Sequence, residues 1–366
     1  MNWNQAIQDS LRWLAVATPI TSAGSLLAAL LCIRFTRWGR QFWQISGPYL
    51  SPKRSWRPLL VLLVLLVLAL FGVRINVLFS FWYNGFYSAL QAMDQKGFWF
   101  YVGLFAILAA IHVLRTVFNA YLTQALSIHW RTALNERLVG DWLDGSAYYR
   151  RLFLQDSADN PDQRIESDIT SFVSNTLDLA FGTISSLVSL GSFTLILWGL
   201  SGPPLTIAGV ELPRAMVFIV YAYVLVCTLI AFRLGQPLIR LNFLSEKFVA
   251  NFRYALVRVR EYAESIAFYR GVAVETRVLA DRFNEVIGNA WALLYRSLKF
   301  DAFNLTASQI AVVFPLLLQA PRFFAGAIKL GDVMQTAQAF GQVRVRCHSF
   351  VPPTTALPPT APPWSV

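Results

Sequence analysis

Three ionisable side chains fall inside stretches that are otherwise apolar: Arg74, His112 and Arg115. His112 and Arg115 stand three positions apart, so on a helix they share a face. An ionisable group in such a stretch marks a cargo path or a proton relay by default. A cavity lined by all three would be cationic and would favour an anionic or amphiphilic cargo. No Asp or Glu is evident deep in the apolar segments. Two plainer roles compete. Arg74 lies about two turns before the aromatic run FWYNGFY and can snorkel to an interface, while His112 and Arg115 can pair with backbone carbonyls of neighbouring helices. Catalytic chemistry of the usual kinds is not encoded. The cysteines (Cys32, Cys227, Cys347) and histidines (His112, His129, His348) are dispersed, which gives neither a disulfide framework nor a metal site. No paired Asp, HExxH or Ser/His cluster occupies the apolar segments, as a membrane-embedded enzyme would need.

Those segments position everything else. The chain of 366 residues is 56% hydrophobic and only 14% charged, whereas a soluble domain carries about 25% charged residues. Six apolar stretches, near 14–33, 59–81, 98–126, 177–200, 215–234 and 303–324, are long enough to cross a bilayer, which takes about 20 residues. The first has no basic start and no small-residue cleavage site, so it reads as a retained anchor. Between the first two, RFTRWGRQFWQISGPYLSPKRSWRP (34–58) reads as a connecting loop. It holds six basic residues and no acid. Such a loop belongs in the cytoplasm, which places the N-terminus outside. The net charge of +11 is then a matter of topology; nothing in the pattern reads nucleic acid.

Two long polar connections, 127–176 and 235–300, face the cytoplasm in this topology. In the first, NPDQRIESDI opens a helix: Asn160 is a good N-cap, Pro161 suits the first helical position, and Gln163 makes a capping-box-like pair with the cap. No Gly or Pro interrupts before Gly182, so one helix is expected from 161 to about 200, roughly 60 Å long. In the second, apolar periodicity runs from 215 through FRYALVRVREYAESIAFYRG, breaks at Gly271, and resumes from Glu275 into the sixth segment. Two helical hairpins therefore reach well beyond the bilayer.

Together NPDQRI, AESIAFYRG, HWRTALNERLVGDWL (129–143) and PRFFAGAIKLGDVMQTAQAFGQV (321–343) resemble the transmembrane part of bacterial ABC transporters. The similar group is related to the SbmA/BacA peptide-uptake proteins and to the peroxisomal fatty-acyl transporters. The resemblance covers about 57–342. It implies an all-α, polytopic bundle of exporter (type-1) architecture with long helices extending into the cytoplasm. It also implies a homodimer in a bacterial inner membrane. The hairpin tips would be coupling helices that dock on ATP-binding domains. Asn160, Pro161, Asp162, Gln163 and Arg164 match the first tip, and Glu261, Glu264, Ser265 and Arg270 the second. Family cargoes include peptides, vitamin B12-like compounds and acyl conjugates.

An ATPase needs a phosphate-cradling GxxxxGK[ST] loop, and none occurs in the sequence. ATP and Mg2+ would therefore belong to a domain outside this chain, and no cofactor is expected within it. Three parts are expected: an extra anchor with a basic linker (1–57), the transmembrane domain (58–342) with its last helix incomplete, and a Pro-rich tail (343–366) that reads as disordered and aberrant, as from a truncated or frame-shifted gene. The alternative is an ATPase-independent, proton-gradient-driven transporter of the SbmA/BacA kind, which would need titratable carboxylates along its path.

Overall fold

The computed structural model describes residues 3–51, 56–144, 161–201, 205–207, 210–212 and 215–348, with side chains described outside 161–167, 202–215 and 347–348. Its elements are α1 (Trp3–Phe35), α2 (Arg37–Leu50), α3 (Arg57–Gln91), α4 (Gln95–Leu143), α5 (Pro161–Leu200), β1 (Leu205–Ile207), β2 (Val210–Leu212), α6 (Ala215–Glu261), α7 (Ala263–Phe268), α8 (Val272–Phe324) and α9 (Leu330–His348). Six of these helices are long and apolar enough to cross a membrane, matching the six apolar stretches of the sequence. The chain is an all-α polytopic bundle apart from β1 and β2, which pair antiparallel with Thr206 opposite Glu211. The helices divide between two compact units, 1–214 with 315–346 and 215–314 with 347–366.

In the first unit, α3 and α4 form an antiparallel pair. The end of α3 and the start of α4 are joined by a tight corner. The N–H of Asp94 donates to the Ala89 carbonyl at 3.0 Å and that of Met93 to Leu90 at 3.1 Å. This is a Schellman stop with Met93 in the left-handed region at φ 55°. Asp94 then caps α4 by accepting from the Gly97 N–H at 3.1 Å. Around this corner lies an aromatic girdle: Trp82 stacks on Phe86 at 4.9 Å and its indole N–H donates to the Tyr101 carbonyl at 2.8 Å. Rings with one wet edge suit a membrane–water interface. Toward the other end, Leu65 of α3, Leu126, Trp130 and Leu134 of α4, and Ile169, Val173 and Leu177 of α5 bury one another. That cluster sets the face of α5 that packs on α3 and α4.

Residues 34–58 are not simply a connecting loop. Thr36 caps α2, its hydroxyl accepting from the Gly39 N–H at 2.9 Å. Gly39 sits so close to the Cys32 carbonyl of α1 that no Cβ would fit, which makes the abrupt α1–α2 corner possible. Tyr49 stacks on Trp130 with ring centroids 5.5 Å apart, and burial pushes its phenol above the ordinary tyrosine value. Likewise α4 does not stop near 126 but continues to Leu143. Its 49 residues span about 74 Å, more than twice the hydrocarbon thickness of about 30 Å.

In the second unit, α6 and the part of α8 up to Phe314 run as two arms of a hairpin. The Tyr223 hydroxyl donates to the Ala307 carbonyl at 2.5 Å, and the Asn289 carboxamide to the Leu241 carbonyl at 3.1 Å. Farther out, Phe252 meets Phe283 at 5.4 Å and Arg258 lies 3.7 Å from Glu275. As the first partner moves up the chain, the second moves down, as an antiparallel pair requires.

Candidate functional site: hairpin tips and a polar cavity

The outer tip of the α6–α8 hairpin is a one-turn helix between two stops. α6 ends at Glu261, and α7 carries Glu264 and Ser265. The Gly271 N–H then donates to Ile266 at 2.9 Å and the Arg270 N–H to Ala267 at 3.3 Å. This Schellman pattern puts the left-handed residue at Arg270, with φ 52°, and not at Gly271. A non-glycine there costs about 1–2 kcal/mol. The tip displays Phe268 and Tyr269, 83% and 82% exposed, beside Tyr262. Sequence reasoning selected the charged residues of this tip and passed over these rings. Exposed aromatics at the end of a helical hairpin, away from its apolar part, form the kind of patch that buries against another protein.

The first expected tip is only partly described. Asn160 lies outside the described residues. Pro161, Asp162, Gln163 and Arg164 form the first turn of α5, as the Asn-Pro start implied, and their side chains also lie outside the description.

Of the three intramembrane candidates, Arg115 lines a cavity, whereas Arg74 and His112 are not among its lining residues. The Arg74 guanidinium donates from Nε to the Ser10 hydroxyl at 2.8 Å and sits 5.8 Å from the Trp13 ring centre, so it ties α3 to α1. His112 packs edge-on to Phe79 at 6.1 Å. Arg115 does reach a cavity. Its Nη1 donates to the Leu68 carbonyl at 3.0 Å and its Nη2 to Thr116 at 3.1 Å. Gly72 lies against the guanidinium, in space that a Cβ would take. The cavity, of ≈ 330 Å³, is lined by Arg115 with Asn76, Asn119, Asp178, Ser185 and Arg346 among others, from α3, α4, α5 and α9. Its lining is mixed, with Ala69, Val73, Leu177 and Phe181 beside the polar groups, and it contains both a carboxylate and two guanidinium groups. Asp178 stands near the start of the fourth apolar stretch, where linear position does not reveal that it faces Arg115's cavity. Among the described residues no group of three or more His, Cys, Asp or Glu could hold a metal ion.

At the far end of α5, Arg322 donates from Nη1 to the Ser201 carbonyl at 3.0 Å and to the Gln319 side chain at 3.1 Å. Gln319, itself buried, donates to Thr336 of α9 at 3.2 Å. A guanidinium on the last carbonyls of a helix also complements its dipole.

Residues 45–324 match the family described as ABC transporter transmembrane region 2. The chain belongs to that family. This transmembrane region is 48% identical over 338 residues to a protein of Haemophilus influenzae named "Uncharacterized ABC transporter ATP-binding protein", covering 92% of this chain and 57% of that protein. It is 32% identical over 341 residues to the "Inner membrane ABC transporter ATP-binding protein YddA" of Escherichia coli, covering 92% and 58%. It is 26% identical over 312 residues to the human "Lysosomal cobalamin transporter ABCD4", covering 83% and 48%. The chain thus spans under three fifths of the length of these relatives. The ABC transmembrane region is a multi-pass membrane element of transport proteins that are normally linked to an ATP-binding domain.

Proposed function

We propose that the chain is the permease portion of an ATP-driven transporter of a bacterial inner membrane, with its N-terminus outside. It works as a homodimer with the pathway between subunits. The α6–α8 hairpin acts as a lever, and its tip, with Glu261, Glu264, Ser265, Arg270 and the rings of Phe268 and Tyr269, docks on an ATP-binding domain. The first turn of α5 and Asn160 supply the second docking point. ATP and Mg2+ act in that domain, and closure there moves the tips; the stiff arms carry the displacement to the membrane. Arg74, His112 and Arg115 are candidates for the path. The cargo falls among peptides, vitamin B12-like compounds and amphipathic or acyl compounds.

The observation that carries this reading is the exposed aromatic tip at the end of an otherwise paired hairpin. A photo-crosslinking amino acid at position 269, introduced in cells, tests it. Capture of a polypeptide with a GxxxxGK[ST] loop is expected; capture of none, at a position this exposed, overturns the docking role. Asp178 at the cavity supports a second reading, proton-driven transport without an ATPase. Under that reading, Asp178→Asn abolishes uptake while inhibition of ATP synthesis with the proton gradient kept does not.

A further inference from the structure

Helix α2 carries two dissimilar faces. One, with Gly39, Ser46 and Gly47 buried and Phe42 and Tyr49 half-buried, packs inward. Phe42 meets Phe172 of α5 at 5.7 Å and Tyr49 stacks on Trp130 of α4. The other leaves Arg37, Arg40 and Gln44 exposed between Trp38 and Trp43, which are 65% and 43% exposed. The helix joins the apolar end of α1, at Phe35, to the start of the apolar run of α3 after Arg57. It therefore lies at the level where two spanning helices leave the hydrocarbon.

Tryptophan seeks that level because its ring is apolar and its N–H polar. Topology explains why bases gather there; it does not explain why two of them share one exposed face of a formed helix with tryptophans at its borders. A helix at this level with a basic face and aromatic flanks takes the negative charge of lipid head groups as its complement. Guanidinium forks also match phosphodiester oxygens two at a time. No Asp or Glu occurs between residues 34 and 58 to compete.

The helix is held rigidly for this task. Pro48 has no N–H, so the Gln44 carbonyl lacks its usual donor four residues on. Arg137 of α4 supplies one: its Nη1 donates to Gln44 at 3.0 Å and reaches Ile45 at 3.3 Å. Whatever α2 binds is thereby fastened to the stem of α4, one to two turns before that helix ends at Leu143.

We propose that the Arg37–Arg40 face of α2 is a docking surface for the head groups of anionic phospholipids. The proposal concerns the membrane-embedded chain and stands apart from the question of what drives transport. The test uses the full chain reconstituted in nanodiscs with trace photoactivatable phosphatidylglycerol or phosphatidylcholine, the label being mapped by mass spectrometry. The peptide spanning 34–57 is expected to take the anionic probe about 25-fold over the zwitterionic one. Arg37→Gln with Arg40→Gln is expected to remove that preference, by roughly fivefold per arginine, the equivalent of ~1 kcal/mol each. Arg37→Lys with Arg40→Lys keeps most of it, which separates loss of charge from loss of fold. Arg282→Gln, at an exposed position of α8 in the other compact unit, leaves it unchanged. Equal labelling by the two probes, or undiminished preference in the double glutamine variant, overturns the proposal.

Discussion

Replacing Asn84 with alanine should loosen the outer end of the first unit by a predictable amount. The Asn84 carboxamide donates from Nδ2 to Asp332 Oδ1 at 2.7 Å and to Gln335 Oε1 at 2.9 Å. Around it, the Leu330 N–H donates to Gln91 Oε1 at 2.7 Å, and Gly331 is pressed on the Asn84 carbonyl where no Cβ fits. The clasp thus joins the end of α3 to the start of α9. A bond to a charged acceptor contributes ~1.5–3 kcal/mol and one to a neutral acceptor ~0.5–1.5 kcal/mol. Gln335 is 4% exposed, so its oxygen finds no water to replace the lost donor. Asn84→Ala should therefore cost ~2–4 kcal/mol. The single cost does not by itself identify the clasp, because any cavity would also cost something. Double-mutant cycles do: Asn84 with Gln335→Ala should couple by ~1 kcal/mol and with Asp332→Ala by ~2 kcal/mol. The assay is reversible unfolding of the full chain in mixed micelles, followed by tryptophan fluorescence. Gly331→Ala, which forces the two helices apart, should erase the coupling. Additivity of both pairs to within ~0.3 kcal/mol would refute the reasoning, since residues that share these bonds cannot act independently.

Three other outcomes are expected. Pro48→Ala restores the N–H that the Gln44 carbonyl lacks, so Arg137→Ala should cost ~1 kcal/mol less in that background than in the parent, read by the same unfolding cycle. Arg270→Gly relieves a left-handed residue and should raise the protection of the α7 tip in hydrogen exchange by up to ~1 kcal/mol, while weakening any docking that depends on the charge. Burial raises the Tyr49 phenol above its unfolded value near 10, which stabilises the fold fully below that pH. This contribution is lost as pH rises through the folded value. Alkaline unfolding should therefore begin at higher pH in Tyr49→Phe.

The long elements were legible because their signals are local. Asn160-Pro161 marks the start of α5, and the unbroken pattern to Leu200 gives its length; the hairpin break beside Gly271 is equally visible. Other features depend on neighbours that are distant in sequence. Gly39, Gly47 and Pro48 read as loop residues, yet α2 is a helix because each has a tertiary reason: Gly39 lets α1 approach, Gly47 lies against the Trp43 ring, and Arg137 substitutes for the bond that Pro48 cannot make. The polar residues of 129–137 made α4 look finished near 126, although a helix does not end where a bilayer does. The Schellman stops at Met93 and Arg270 use non-glycine residues; among the described residues only the one after α8, where the Ala327 N–H donates to Arg322 at 3.0 Å and Gly326 has φ 72°, advertises itself. The cavity was the least legible, because Asp178, Asn76 and Asn119 meet Arg115 only once α3, α4 and α5 are packed.

One kind of contact recurs among the ties between the long helices. Trp82 donates to the Tyr101 carbonyl, Arg115 to Leu68, Arg137 to Gln44, Arg322 to Ser201, Tyr223 to Ala307 and Asn289 to Leu241. In each case a side chain of one helix uses the second lone pair of a backbone carbonyl on another, or a carbonyl that a proline or a helix end has left free. Apolar packing between helices gains little when the surrounding lipid is equally apolar, so polar ties of this kind carry much of the specificity. They also let a half-buried charge do without an acid: Arg115 and Arg322 are each met by a carbonyl at the right height. Such ties fix one helix against the next while leaving whole faces of the hairpins uncommitted. That combination, rigid within each pair and exposed at the tip, is what a lever requires.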